Sequence, residues 1–384
     1  MAARKYRGRV LSAADFAPKR PVEDDEPEDD VAASGFLNRK EEDSDNEITE
    51  ELVDRPVTFE TLKANGLMLE KMPKVVRSNP EFVLEAVQQN GMAIRFAMGG
   101  LAEDRELALE AAKNCGQALS LMSETLRKDE EIVFESIRQD GLSLEHACEF
   151  FRSEGDMVIE AMGQNWRAIE YADERLYNDR AFMMEAVKTS WRAFGYAHEE
   201  LSHDREMVQE AMRGSWVALA HAAEWLRADR ALMLEAVKLN WQALLYASKA
   251  LQDDRELVAM ALEQSGLALQ CASPALRRDR ELVLRAVQDN GLALEYADAI
   301  HQGDPEIVLD AVKGNRLAFQ FATEELRGNR EAVLQFVRVD GLCVEHASEE
   351  LKGDKALLLE AVRQDWRAVE HASESTKDDA ALVW

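Results

Sequence analysis

An acidic residue returns every 25 positions along most of this chain, and that spacing constrains the fold more than any other feature. Asp104, Asp129, Asp179, Asp204, Asp229, Asp254, Asp279, Asp304, Asp354 and Asp379 share one register. Asp54 extends it upstream, and Asn79, Glu154 and Asn329 fill its gaps. From Asp54 to Asp378 the register passes through 13 units of 25 residues with no insertion or deletion. A fixed period of this length marks a tandem array in which each unit leans on its neighbours, so ordinary globular-domain arithmetic does not apply.

One unit can be read from Asp279 onward, with places counted from that Asp. An acidic residue followed by Arg and Glu, with Pro80 and Pro305 directly after Asn79 and Asp304, signals a helix N-cap and first turn. Helix A follows, with apolar side chains at the fourth, fifth, eighth and ninth places, as in Leu232, Met233, Ala236 and Val237. The twelfth place is usually Asn, Asp or Ser, which predicts the cap of a second helix B. The thirteenth is Gly in some units and Trp in others; since Trp191, Trp216 and Arg316 would be strained at positive φ, Gly there is not serving a left-handed turn. Helix B carries Ala at the fifteenth and nineteenth places, such as Ala193 and Ala197 or Ala243 and Ala247, small enough for close helix approach. Helices of about ten residues are marginal alone in water. The expected architecture is therefore all-α: a right-handed-type α-solenoid of 13 two-helix repeats over residues 54–378. The first unit, with Pro56, Lys71, Met72 and Pro73, reads as a terminal cap, and residues 379–384 as the start of a fourteenth repeat or a C-terminal cap.

The D-R-E-L-V-L first half and G-L-A-L-E-Y-A second half of the unit resemble the repeat family catalogued as domain of unknown function 4116. The resemblance covers nearly all of residues 54–378. It implies a helical tandem-repeat protein and carries over no catalytic or binding residue.

Charge separates the leader from the array. The chain carries a formal −28. Residues 1–20 are basic, through Arg4, Lys5, Arg7, Arg9, Lys19 and Arg20, whereas residues 21–53 hold Arg39 and Lys40 against a dense run of Asp and Glu. Runs of like charge with few aromatics cannot bury enough surface to offset ordering entropy, so residues 1–53 are expected to be a disordered leader, basic then acidic. The Arg- and Ala-containing start admits an organelle-targeting segment as an alternative. No apolar run reaches the roughly 20 residues of a membrane span. Cys115, Cys148, Cys271 and Cys343 form no CxxC pair, which suggests neither zinc site nor disulfide framework and fits a reducing, cytoplasmic or nuclear compartment.

Two readings of the aromatic residues stand side by side. Trp166, Trp191, Trp216 and Trp241 hold the thirteenth place in four consecutive units, with Tyr171, Tyr196, His221 and Tyr246 five residues later. Such a ladder would suit a partner-binding groove. Yet where the thirteenth place is Gly the next residue is usually large and apolar, as in Leu142 or Leu292, and where it is Trp the next is Arg167, Arg192, Val217 or Gln242. Indole and leucine then exchange the same space, which is core packing. The histidines at the eighteenth place, His146, His221, His346 and His371, and the capping Asp residues read as structural rather than metal-binding.

Phosphate loop, GxSxG, HExxH and Cys–His patterns are absent from the sequence, so neither enzyme nor cofactor is expected. The expected function is a non-enzymatic protein–protein interaction scaffold or adapter, with one or more proteins as partners. The alternative is an acidic binder or chaperone of basic proteins, such as histones or ribosomal proteins. Nucleic acid is disfavoured, because the array is net negative and no Lys/Arg stripe compensates; no membrane partner is expected.

Overall fold

A computed structural model describes residues 54–373 and 376. The leader of residues 1–53 and the closing residues 379–384 lie outside the described residues. The chain divides between His221 and Ala222 into two compact bodies, each a stack of the same unit.

The unit that opens at Asp229 shows how the residues dictate the elements. Asp229 has an extended backbone, and its carboxylate accepts the Leu232 N–H at 2.9 Å, which closes the start of a ten-residue α-helix, Arg230–Leu239. Leu232, Met233, Ala236 and Val237 are fully buried, the stripe expected from the sequence. Asn240, at φ −160° and ψ 127°, turns the chain, and its Oδ1 accepts the Gln242 N–H at 2.8 Å. The cap then admits Trp241–Tyr246.

That second element is helical, as expected, but it is a six-residue 3₁₀ helix rather than an α-helix. Ala243 N–H donates to Asn240 and Ala247 N–H to Leu244, both three residues back. The segment is held between two extended residues, Asn240 and Ala247, and over so short a span the three-residue register closes one more bond than the four-residue register. Ala247 therefore ends the element instead of lying on its face four residues from Ala243. Among the described residues, the units that open from Asp54 to Asn329 also have a third element beyond the two helices. It is a short turn, Lys249–Gln252 here, whose apolar residue at the twenty-third place is buried: Leu126, Phe151, Leu226, Leu251, Leu326 and Leu351. Its cap is the twentieth place, as where Thr323 Oγ1 accepts the Leu326 N–H at 3.4 Å.

Units are joined by three kinds of link. The N–H of the twentieth place donates to the carbonyl of the twenty-fourth place in the preceding unit: Asp173 to Arg152 at 2.9 Å, Ser273 to Gln252 at 2.8 Å, Ser348 to Arg327 at 3.0 Å. The thirteenth-place glycines lie directly against the next helix, so a Cβ on Gly66, Gly141, Gly266 or Gly291 would collide with the carbonyl oxygen of Ala86, Ala161, Ala286 or Ala311. Close approach is thus what requires glycine; among the described glycines only Gly99 and Gly100 have positive φ. Third, the Arg at the second place forks onto the next unit. Arg255 donates through Nε to Asp279 at 2.9 Å and through a terminal nitrogen to Glu281 at 2.5 Å. Arg105, Arg180, Arg230 and Arg280 repeat the fork.

The unit that opens at Asp129 departs from this scheme. Its second place is Glu130, and the next unit opens on Glu154 and Gly155, where Glu154 makes no side-chain cap. Ser136 and Ser143 stand at places usually held by alanine, and both hydroxyls are fully buried without a hydrogen-bond partner. An unsatisfied buried hydroxyl costs about 1–3 kcal/mol, so Ser136→Ala and Ser143→Ala should each raise stability by about 1 kcal/mol in urea melts, and an unchanged or lowered midpoint would contradict this account.

The capping carboxylates carry a second expectation. Hydrogen bonding from the Arg of the preceding unit holds Asp129, Asp254 and Asp354 below the usual carboxylate range despite partial burial. A carboxyl whose folded pKa is depressed contributes stability above its unfolded value, about 4, and that contribution disappears as pH falls through the folded value. Asp254→Ala should cost about 1 kcal/mol at pH 7 and less at pH 2, where the neutral carboxyl keeps only its carbonyl oxygen for the cap, and Asp254→Asn, which likewise keeps an oxygen for the cap, should cost less than the alanine variant at pH 7. Thermal melts at the two pH values check the sign.

Candidate functional site

Six of the eight aromatic candidates lie in the body that ends at His221: Trp166, Trp191, Trp216, Tyr171, Tyr196 and His221. All six are half-buried. Trp241 and Tyr246 belong to the other body, where Trp241 is half-buried and Tyr246 buried. Each indole opens a 3₁₀ helix, at the place where a glycine unit would press backbone against backbone. The indoles are therefore neither sealed in the core nor free of it.

Trp191 shows what the next unit must provide to receive an indole. Its Cβ and Cδ1 lie against Gly214, the last residue of the following helix Arg205–Gly214. A Cβ on Gly214 would sit 2.7 Å from that of Trp191. Trp241 uses a different device, with its backbone N–H donating to Gln264 Oε1 at 2.9 Å. The same eleventh-place side chain serves glycine junctions, as where Gly91 N–H donates to Asn114 Oδ1 at 2.7 Å.

A residue that the sequence reading mentioned only as the neighbour of Trp191 joins two of the indoles. The Arg192 guanidinium carbon lies 5.4 Å from the ring centre of Trp166 and 4.8 Å from that of Trp191, within cation–π range of both. The side chain of Arg192 is exposed, and among the described residues it has no ion pair. Its counterpart one unit earlier, Arg167, is paired through Nε with Glu170 at 3.2 Å. Three residues after Arg192 the chain has Gly195, and the imidazole of His221 lies 3.3 Å from where a Cβ there would be. A signal in the sequence could have found this site: the Arg–Glu spacing of one unit is broken in the next.

The tyrosines stiffen the flank of this ridge. Tyr196 Oη donates to Glu170 Oε1 at 3.0 Å, and its ring lies 6.1 Å from that of Tyr177. Tyr177 Oη donates to the Ile169 carbonyl at 2.8 Å. Burial pushes both phenols up to about 12, with the bond to Glu170 adding to the shift for Tyr196, so both remain neutral donors across the physiological range. His221 packs edge-on against Phe194 at 6.3 Å. Two half-buried indoles and one exposed guanidinium thus lie side by side, a combination chemically able to meet an apolar group beside an anion.

The sequence profile described as "Domain of unknown function (DUF4116)" matches residues 54–98, 104–152, 155–202, 179–227, 204–252, 254–300, 279–327, 304–348 and 329–377. The chain belongs to the DUF4116 family. Each match in this DUF4116 array spans nearly two 25-residue units. Among functionally curated proteins none matches the chain. Among the described residues no helix is long and apolar enough to cross a membrane.

Because Gly214 exists to admit Trp191, Gly214→Ala should cost about 1–3 kcal/mol and perturb indole emission. Gly163→Ala is the control: its Cβ would meet nothing within 4 Å, and alanine in a helix is favoured over glycine by up to about 1 kcal/mol. Equal melts for the two variants would show that the indole does not fill this space.

Proposed function

We propose that this helical array is a non-enzymatic protein-interaction scaffold whose contact surface includes the ridge of Trp166, Arg192, Trp191 and Tyr196. The observation that carries the reading is the half-burial of indoles in consecutive units around an exposed guanidinium. Trp, Tyr and Arg are the residue types that dominate binding energy at protein interfaces, and a half-buried indole is already ordered, so little entropy is lost on contact. The second-place arginines, by contrast, are committed to joining neighbouring units, as the forks of Arg230 and Arg255 illustrate.

A second reading, binding of a basic protein, is favoured by the formal −28 and by exposed Glu124, Glu149, Glu174 and Glu199 on successive closing turns. Its complexes would weaken steeply with salt, whereas contacts centred on indoles would persist.

Affinity capture from native extract with gentle crosslinking tests both. The full chain should recover a stoichiometric protein partner, and the variant with Trp191, Trp216 and Trp241 changed to leucine should lose it while keeping a cooperative melt. Recovery of the array alone, or a partner retained undiminished by the triple variant, would sink the ridge reading. A partner released in full by moderate salt would favour the basic-protein reading.

A further inference from the structure

Resting on the reading of the ridge as a contact surface, we propose that Arg192 is the anchor for a single carboxylate on the partner, an Asp or Glu side chain set beside an apolar or aromatic residue. Arg192 stands apart from its equivalents. Arg167 and Arg367 follow Trp in other units, and each is satisfied locally, Arg167 by Glu170 and Arg367 by Asp365 at 2.6 Å. The second-place arginines Arg105, Arg180, Arg230, Arg255, Arg280 and Arg330 are likewise paired with carboxylates. In a chain with 74 acidic against 46 basic residues, an exposed arginine without a carboxylate is out of keeping with its surroundings.

The geometry holds this guanidinium in place rather than leaving it to wander. Its central carbon lies within reach of two rings, at 5.4 and 4.8 Å, and at the place where Glu170 pairs with Arg167 the chain has Gly195, which offers no carboxylate. A guanidinium held by aromatic rings keeps its in-plane N–H groups available, and a carboxylate matches that fork with two parallel hydrogen bonds. The flanking indoles offer apolar surface that a bare anion would leave unused, which argues for a peptide segment over a free ion. The chain's formal −28 repels a polyanion, so the favoured segment carries an isolated acid in otherwise neutral or basic surroundings.

Selection of short random peptides on the immobilised full chain, followed by titration of the enriched peptides, tests the assignment. The variants are Arg192→Gln, Trp191→Leu and, should the leucine variant melt early, Trp191→Phe. The expected result is enrichment of peptides with Asp or Glu next to an apolar residue. Their affinity should fall about tenfold or more on Arg192→Gln, and equally when the peptide's acid is changed to its amide. Peptides that depend on Trp191 but are indifferent to Arg192→Gln, or that carry no acid, would overturn the carboxylate anchor and leave the ridge standing. Peptides indifferent to both positions would overturn the ridge as well. A concentration-dependent dimer in sedimentation, abolished by Arg192→Gln, would make the occupant a second copy and overturn the assignment to a separate partner.

Discussion

At Asp129, Asp204, Asp254, Asp279, Asp304 and Asp354 the capping carboxylate that opens a unit is shared with the unit before it, and the stacking of those units is arranged around that sharing. In Asp254, Oδ1 accepts the N–H groups of Glu256 and Leu257 at 3.1 Å, while Oδ2 accepts Arg230 Nε at 2.6 Å. One oxygen starts its own helix and the other receives the helix before it. The arrangement answers the helix dipole with a negative charge and then offsets that charge from outside, so it remains partly buried without being unpaired. Asparagine can do only the first job, and at Asn329 the residue one unit upstream is Pro305, which has no side chain to donate. At Glu154 the upstream residue is Glu130, and there neither job is done by the side chain.

Two ways of closing the remaining seam follow from what the thirteenth residue lacks or has. Glycine lets the next helix press its eighth-place carbonyl against the backbone, excluding water by proximity. Tryptophan places its own side chain against the next helix, and Trp191 has the accommodating neighbour Gly214. Both solutions preserve the 25-residue register, because helix A, its cap and the closing turn are unaffected. The exchange also has a functional side effect. A ring that fills a seam from its edge leaves part of its surface outside, so the choice of packing produces an exposed aromatic row without any separate provision for binding.

Much of this was legible in the sequence because local chemistry and period agree. The Asp caps, the buried fourth, fifth, eighth and ninth places and the Asn or Ser caps follow from residue type and spacing alone, and glycine at the thirteenth place was recognisable as something other than a left-handed turn. The 3₁₀ character of the second helix was not legible: its residues are equally at home in an α-helix, and the choice depends on Ala247 and its equivalents being held extended by contacts outside the segment. The closing turn was hidden by its brevity, although Leu251 and its equivalents recur as faithfully as the caps. The forks of Arg230 and Arg255 reach across 24 and 26 residues, so no spacing within one unit reveals them.

The candidate site was legible only as aromatic residues, because recurrence is the signal by which architecture is read and the distinctive feature of the site is a failure of recurrence. Trp166 and Trp191 repeat, and repetition by itself is satisfied by packing. Gly195 does not repeat what Glu170 establishes, and the consequence, an unpaired Arg192 between two indoles, emerges only when the units are stacked. The same logic applies to Ser136 and Ser143, which break the alanine columns inside the core. There the departure costs stability, in the unit immediately before the first Trp unit, where the Arg fork is also missing. Binding surfaces tend to be drawn from the less stable parts of a fold. A repeat protein therefore states its structure through the residues that return and its individuality through those that do not, and in this chain the departures at Glu130, Ser136, Ser143, Glu154 and Gly195 lie in three consecutive units beside the ridge.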